Sequence, residues 1–127
     1  MMTSFSEYLK PGNKGHLIGI GGVSMSPLAE VLSGMGLVIK GSDMRDSEKV
    51  ESLRRKGIEV NIGHRAENID SDTDFVVRTA AVHDENVEIM AARSMGIPLF
   101  ERTQACGTLT RDYKNAICIA GTHGKTT

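Results

Sequence analysis

The sequence predicts an α/β fold in which a mostly parallel sheet is flanked by helices. Short β-branched runs alternate with amphipathic stretches along the chain, and this alternation is typical of βαβ units, whose strands are parallel. Glycine follows the predicted second and third helices, at Gly57 and Gly96, where helices commonly end. The length of 127 residues suits one ordinary domain with a core of its own.

Six strands and four helices are predicted in order. The strands are the β-branched runs at residues 16–20, 38–42, 58–62, 75–79, 97–100 and 116–120. Three helices are predicted from apolar stripes: Leu28, Ala29, Val31 and Leu32; Val50 and Leu53; and Val87, Ile89, Met90 and Ala91. Residues 101–112 are predicted to form the fourth helix, although Gly107 and three threonines lower its helix propensity.

Charge is almost balanced, with 15 basic and 16 acidic residues. The basic surface that nucleic acid or an anionic membrane requires is therefore not expected. No apolar run approaches the length that spans a bilayer, and residues 1–11 lack the pattern of a secretion signal. We therefore predict a cytoplasmic protein with small-molecule partners and with neither nucleic acid nor a membrane as a partner.

A glycine-rich turn follows the predicted first strand. Gly19 and Gly21 occupy the first two glycine positions of a dinucleotide-binding turn, but Ser24 stands at the third. Ser26 and Pro27 predict a helix start with serine as the N-cap and proline first in the helix. The loop is then expected to offer several unpaired amides to a diphosphate. The predicted binding residues are Gly19, Gly21, Gly22, Val23, Ser24, Met25 and Ser26. A glycine-rich turn without a ligand is the alternative.

Two further segments follow predicted strands. Asp43 lies at the spacing where an acid accepts hydrogen bonds from a ribose hydroxyl, and a sugar nucleotide satisfies the same geometry. A turn or capping role is the alternative for Asp43. Thr79, Ala80 and Ala81 follow the fourth strand, where a backbone contact to the ligand is expected.

The last seven residues form a predicted phosphate-binding loop. Gly124, Lys125 and Thr126 supply a glycine, a lysine and a hydroxyl in the order that a polyphosphate with Mg²⁺ requires. Gly121 lies three positions before Gly124, whereas the general pattern has its first glycine five before. An ordinary strand-to-loop turn is the alternative. Because no helix or further strand follows Thr127, we expect an amino-terminal piece of a longer enzyme.

Three stretches together resemble the Mur ligases of peptidoglycan synthesis. They are the glycine turn with its helix, Gly41-Ser42-Asp43 together with Gly63-His64 and Glu67-Asn68-Ile69, and the final Gly-Thr-His-Gly-Lys-Thr-Thr. Within the family the chain is most similar to members that join L-alanine to UDP-N-acetylmuramate, and a member that recycles a murein tripeptide is the alternative. The resemblance implies a Rossmann-like UDP-sugar-binding domain at residues 1–112 and the start of a central ATP-binding domain at residues 113–127.

The resemblance also implies a reaction, in which an amide forms through an acyl phosphate. Its substrates would be UDP-N-acetylmuramate, ATP and L-alanine, with Mg²⁺. Lys125 and Thr126 are the implied catalytic residues, because Lys125 would stabilise the transferring phosphoryl group and Thr126 would contact the metal. The residues implied to bind ATP are Gly121, Thr122, His123, Gly124, Lys125, Thr126 and Thr127. The chain by itself is expected to be inactive and to hold no cofactor.

His64 and the function class each have alternatives. The resemblance places His64 beside the uracil, and a solvent-facing loop histidine is the other interpretation. An NAD-dependent oxidoreductase is favoured by Gly19, Gly21 and Asp43 and opposed by Ser24. A stand-alone nucleotide-sugar sensor that performs no chemistry is a further possibility.

Overall fold

A computed structural model of the protein describes residues 5–113, and the side chains of residues 5–109. The five strands are Lys14–Ile18 (β1), Val38–Asp43 (β2), Glu59–Ile62 (β3), Phe75–Arg78 (β4) and Leu99–Glu101 (β5). The helices are Met25–Gly34 (α1), Glu48–Arg55 (α2), Val87–Ser94 (α3) and Arg102–Tyr113 (α4), with short 3-10 helices at Phe5–Tyr8 and Ala66–Asn68. The predicted sixth strand and phosphate-binding loop lie outside the described residues.

The strands form one sheet in the order β3-β2-β1-β4-β5, and every neighbouring pair is parallel. The prediction of an α/β fold with a mostly parallel sheet is therefore confirmed. The chain runs outward from β1 through β2 and β3, and then continues on the other side through β4 and β5. The loops after β1 and β4 consequently diverge at a switch point, which is where open α/β sheets bind ligands.

The sheet is buried on both faces, because alternate residues of its central strands contact two different cores. Leu17 and Val77 belong to the larger core, whereas their neighbours Ile18 and Val76 belong to the smaller one. Apolar residues of α1, α2 and α4 fill the larger core, and those of α3 fill the smaller. None of the described helices is long and apolar enough to cross a membrane.

The helical turn Phe5–Tyr8 is not predicted from the sequence, because four residues show no periodicity. Its Phe5 ring packs edge-on against Phe75 and Phe100, with ring centroids 5.2 and 5.1 Å apart. Gly15 in β1 makes room for this cluster, since a Cβ there would lie 2.3 Å from the Phe75 ring. This turn therefore covers the larger core beside β4 and β5.

Most predicted boundaries differ from the observed ones by one or two residues, and two of the differences have a clear physical reason. Strand β1 ends at Ile18 because Gly19 adopts φ +79°, a left-handed conformation that stops the extended chain. Helix α1 begins at Met25 with Ser24 as its N-cap, so the predicted start with Ser26 as cap is wrong. Proline is tolerated throughout the first helical turn, where amides have no intrahelical acceptor, and Pro27 therefore does not mark the first residue.

Candidate functional site

A cleft of about 610 Å³ opens at the carboxyl edge of the sheet, and loops after all five strands line it. Eight of the residues predicted to bind the substrate are in its lining: Gly19, Gly22, Ser24, Met25, Asp43, His64, Thr79 and Ala81. Four predicted residues do not line it: Gly21, Val23, Ser26 and Ala80. The cleft lies at the switch point of the sheet, which is the usual ligand position in this architecture.

Asp43 anchors the glycine turn to the end of β2. Its Oδ2 accepts a hydrogen bond from the Gly21 amide at 2.8 Å, and its Oδ1 accepts one from the Arg45 amide at 3.3 Å. A Cβ on Gly21 would lie 2.9 Å from Oδ2 and 3.0 Å from Cγ2 of Val50, so the turn approaches β2 too closely for a larger residue. Each carboxylate oxygen still has a second acceptor position, so Asp43 can hold the turn and bind a hydroxyl together.

The glycine turn offers fewer unpaired amides than its sequence predicts. The amide of Gly22 donates to the Gly19 carbonyl at 3.0 Å, and the amides of Met25 and Ser26 donate to the Gly22 carbonyl at 3.2 and 3.0 Å. Counting acceptors among residues 5–113 alone, the amides just before α1, those of residues 23 and 24, have none. Unpaired amides at a helix start attract anions, so they suit a diphosphate.

Two arginines in the cleft lining are not predicted from the sequence. Arg45 lies two residues after the end of β2, and Arg102 directly follows β5. Both residues line the cleft together with Ser24, and Nη1 of Arg102 donates to Sγ of Cys106 at 3.9 Å. A guanidinium group pairs well with phosphate oxygens. The rule that identified Asp43, a polar residue just past a parallel strand, also applies to both arginines.

The loop after β4 is closed by Arg78. The amide of Val82 donates to the Thr79 carbonyl at 3.0 Å, which makes a tight turn. The Arg78 guanidinium donates to the Val82 carbonyl and pairs with the carboxylate of Asp84. These contacts fix the position of Thr79 and Ala81 at the cleft wall.

A buried carboxylate lies beneath the cleft. Glu88, the second residue of α3, is fully buried between the helix and the sheet. Five groups surround its carboxylate: Nε2 of His16 (2.8 Å), Oγ of Ser42 (2.6 Å), Nδ2 of Asn68 (2.7 Å), the amide of Arg65 (3.1 Å) and Nδ1 of His64 (3.3 Å). Burial alone would raise the pKa of Glu88, but hydrogen bonds from His16, Ser42 and Asn68 outweigh it and lower the pKa from 4.5 to about 2. Glu88 is therefore ionised at neutral pH.

This network is not predicted from the sequence, and neither His16 nor Glu88 is among the predicted site residues. Two signals point to it. Glu88 lies one helical turn before Ala92, on the face of α3 that also buries Ile89, and charged residues on a buried stripe need partners. His16 lies in a strand whose neighbouring residues are apolar and buried. Its Nδ1 has no hydrogen-bond partner within the described part of the chain.

The predicted ATP and Mg²⁺ contacts at residues 121–127 lie outside the described residues. Between residues 5 and 109, no group of three or more His, Cys, Asp or Glu side chains is arranged to hold a metal ion.

Comparison with known proteins finds similar ligases. Residues 14–114 match the family model described as "Mur ligase family, catalytic domain". The chain is 52% identical over 112 residues to the UDP-N-acetylmuramate--L-alanine ligase of Lachnoclostridium phytofermentans, covering 88% of this chain and 24% of that protein. It is 47% identical over 121 residues to the ligase of the same name from Clostridium kluyveri, covering 95% and 26%. The chain thus spans about a quarter of the length of these relatives.

Solved structures of such ligases also resemble this chain. The UDP-N-acetylmuramate-alanine ligase of Thermotoga maritima superposes with a TM-score of 0.73 and 37% identity, covering 77% of this chain and 23% of that one. The UDP-N-acetylmuramate:L-alanyl-gamma-D-glutamyl-meso-diaminopimelate ligase of Neisseria meningitides superposes with a TM-score of 0.69 and 25% identity, covering 80% and 31%. Because the family model matches most of its length, the chain belongs to the Mur ligase family.

Proposed function

We propose that this chain is the UDP-N-acetylmuramate-binding part of a cytoplasmic, ATP-dependent ligase that adds L-alanine to that sugar nucleotide in peptidoglycan synthesis. One observation supports this proposal above the others. The cleft at the switch point is lined by Ser24, whose amide has no acceptor among residues 5–113, by two arginines and by Asp43, and the chain that builds it is about half identical to ligases of that name. Amides and guanidinium groups suit a diphosphate, and a carboxylate suits sugar hydroxyls.

The proposed ligand pose follows from these groups. The diphosphate lies against the start of α1, between the amides of residues 23 and 24 and the guanidinium groups of Arg45 and Arg102. Asp43 accepts a hydrogen bond from a hydroxyl of the ligand while it holds the Gly21 amide. His64 borders the base. Thr79 and Ala81 line the opposite wall, where the backbone contacts the ligand.

We further propose that residues 113–127 begin the ATP-binding domain and that Lys125 and Thr126 act on ATP and Mg²⁺. A carboxylate is a poor acyl donor until one of its oxygens becomes a leaving group, and phosphorylation supplies that leaving group. The charge that develops during phosphoryl transfer requires lysine, amides and a metal ion nearby. The division at residues 112 and 113 and the roles of residues 121–127 stay predictions.

We propose L-alanine rather than a tripeptide as the amine substrate. The ligase from Thermotoga maritima is 37% identical to this chain, whereas the tripeptide ligase from Neisseria meningitides is 25% identical. The curated relatives with identities from 46% to 52% carry the L-alanine ligase name. This difference favours the L-alanine branch of the family.

Calorimetric titrations with UDP-N-acetylmuramate, NAD and ATP in separate runs test the proposal. UDP-N-acetylmuramate is expected to bind. NAD is measured as well, because the helix start predicted at Ser26 and Pro27 is not observed and α1 begins directly after Ser24. Tight NAD binding without UDP-N-acetylmuramate binding would favour the oxidoreductase and contradict the proposal.

A further inference from the structure

His64 lies where the cleft meets a second cavity of about 350 Å³, and it lines both together with Met44 and Ala81. One nitrogen of its ring contacts two side chains: Nδ1 lies 3.1 Å from Oγ of Ser42 and 3.3 Å from Oε2 of Glu88. For the other ring nitrogen, Nε2, no described residue provides a hydrogen-bond partner. The Nε2 edge is therefore the one available to a ligand.

The position of the ring proton follows from the groups around Nδ1. The carboxylate of Glu88 only accepts, so the hydroxyl of Ser42, at 2.6 Å from Oε1, donates its single proton to it. The Ser42 oxygen is then an acceptor towards His64, and Oε2 of Glu88 is a second one. Because Nδ1 faces two acceptors, Nδ1 carries the proton, and Nε2 of the neutral ring is a bare acceptor.

We propose that Glu88 is a positioning residue that fixes His64 in its Nδ1–H tautomer, so that Nε2 accepts a hydrogen bond from the base of a bound nucleotide. This inference rests on the proposed function and specifies its ligand. Uracil supplies a matching donor in its imide N–H, whereas cytosine has a bare ring nitrogen at the corresponding position. Two facing acceptors form no hydrogen bond, so the cleft selects uridine over cytidine nucleotides.

The tautomer is measured first and without any ligand. Long-range ¹H–¹⁵N correlation spectra, recorded on the alkaline plateau of the ring titration, show which nitrogen of neutral His64 carries the proton. A His64→Gln variant assigns its signals among the four histidines of the chain. The Nδ1–H form is expected. A predominant Nε2–H form would overturn the proposal, whatever the protein binds.

Substitutions of Glu88 then separate positioning from a merely structural role. Glu88→Ala is expected to release the ring, so that the Nε2–H form appears in the spectra. Glu88→Gln is the conservative replacement. Three donors converge on Oε2 of Glu88, and the amide oxygen of glutamine can accept from them in its place, so the Nδ1–H form should persist. Glu59→Ala, which removes an exposed carboxylate from β3, is the matched control.

A second variant covers the case in which Glu88→Ala does not fold by circular dichroism. Glu88→Asp keeps a carboxylate but shortens the side chain by one methylene, which withdraws the carboxylate from its 3.3 Å contact with Nδ1 of His64. It is expected to raise the population of the Nε2–H form. An unchanged tautomer in whichever of these two variants is folded contradicts the proposal.

Base selectivity is measured by calorimetry with UDP and CDP as the two probes. UDP should bind at least about tenfold more tightly than CDP to the parent, to Glu59→Ala and to Glu88→Gln, and the preference should be lost in Glu88→Ala. If the protein binds UDP while His64 is in its Nε2–H form, the role of Glu88 is refuted but the proposed function is not. An Nδ1–H ring in a protein that binds no UDP would refute the proposed function and the base preference with it.

Discussion

Asp43 connects two neighbouring loops through a single carboxylate. It holds the Gly21 amide of the first loop and the Arg45 amide of its own. The sequence indicated either a ligand contact or a turn residue, and the geometry shows the turn contact while leaving acceptor positions for a ligand. The choice of glycine at position 21 follows from the same contact, because Asp43 and Val50 both lie within 3.0 Å of where a Cβ would be.

The first prediction concerns this carboxylate. Asp43→Ala is expected to weaken UDP-N-acetylmuramate binding by about 1 to 3 kcal/mol, because a charged hydrogen bond to the ligand is lost and the Gly21 amide loses its anchor. Calorimetry measures the affinity, and Asp46→Ala, which removes an exposed acid from the same loop, is the control. Equal affinities of parent and Asp43→Ala would reduce Asp43 to a turn residue.

The second prediction concerns Glu88 and acid stability. Because its pKa is lowered from 4.5 to about 2 in the folded state, its ionised form stabilises the fold above pH 4.5. That stabilisation, about 3 kcal/mol, is lost as the pH falls from 4.5 towards 2. Urea unfolding of the parent and Glu88→Gln across this window should show a free-energy difference that shrinks with acidity.

Glu59→Gln provides the comparison for acid stability, because Glu59 is exposed on β3. Its free energy of unfolding should follow that of the parent at every pH. A difference between the parent and Glu88→Gln that stays constant from pH 4.5 to 2 would mean that the buried carboxylate does not titrate as described.

At the scale of elements, periodicity located the strands and helices but not their ends. Helix α2 ends where Gly57 predicts, with φ +88° at that glycine, and Ser47 caps its start by accepting from the Val50 amide. Helix α1 was misplaced because serine occurs at both Ser24 and Ser26, and sequence alone does not show which one the turn reaches first. The buried network was missed because it joins residues from separate elements.

The third prediction tests the contact between β1 and β2. Gly41 of β2 approaches β1 so closely that a Cβ would lie 2.4 Å from the Leu17 carbonyl oxygen and 2.7 Å from Cδ1 of Ile20. Gly41→Ala is therefore expected to destabilise the fold by about 3 kcal/mol, because backbone must move. Urea unfolding of the variant measures this change.

Gly34→Ala is the matched control for that change. Gly34 is in α1 and has no atom within 4 Å of a Cβ placed there. Alanine should be neutral or stabilise by up to about 1 kcal/mol at this position, since it has the higher helix propensity. If both substitutions have the same effect, the contact between the two strands is looser than the geometry indicates.

At the scale of the whole molecule, the parallel sheet was predictable because its alternating pattern extends along most of the chain. The position of the cleft also followed, since polar residues after parallel strands gather at one edge. The residues that line the cleft were predicted only in part. Arg45 and Arg102 follow strands whose last residues were not predicted correctly. Their approach to the glycine turn depends on the strand order, which no local sequence pattern reveals.

The fourth prediction concerns activity. The chain spans about a quarter of its curated relatives, so the 127-residue protein is expected to bind the sugar nucleotide without turning it over. Phosphate release with ATP, L-alanine and UDP-N-acetylmuramate should equal that of a Lys125→Ala variant. Release above that control would show that ligase chemistry needs less of the protein than proposed.

Three parts of the cleft wall are held by hydrogen bonds without a ligand. Asp43 holds the glycine turn, Arg78 holds the loop after β4, and Ser42 and Glu88 hold His64. A site whose walls are already in place loses little conformational entropy when it is filled. The hydrogen-bonded amides of these loops, those of Gly21 and Val82, should therefore exchange slowly with deuterium in the empty protein, whereas the amides of residues 23 and 24 should exchange fast.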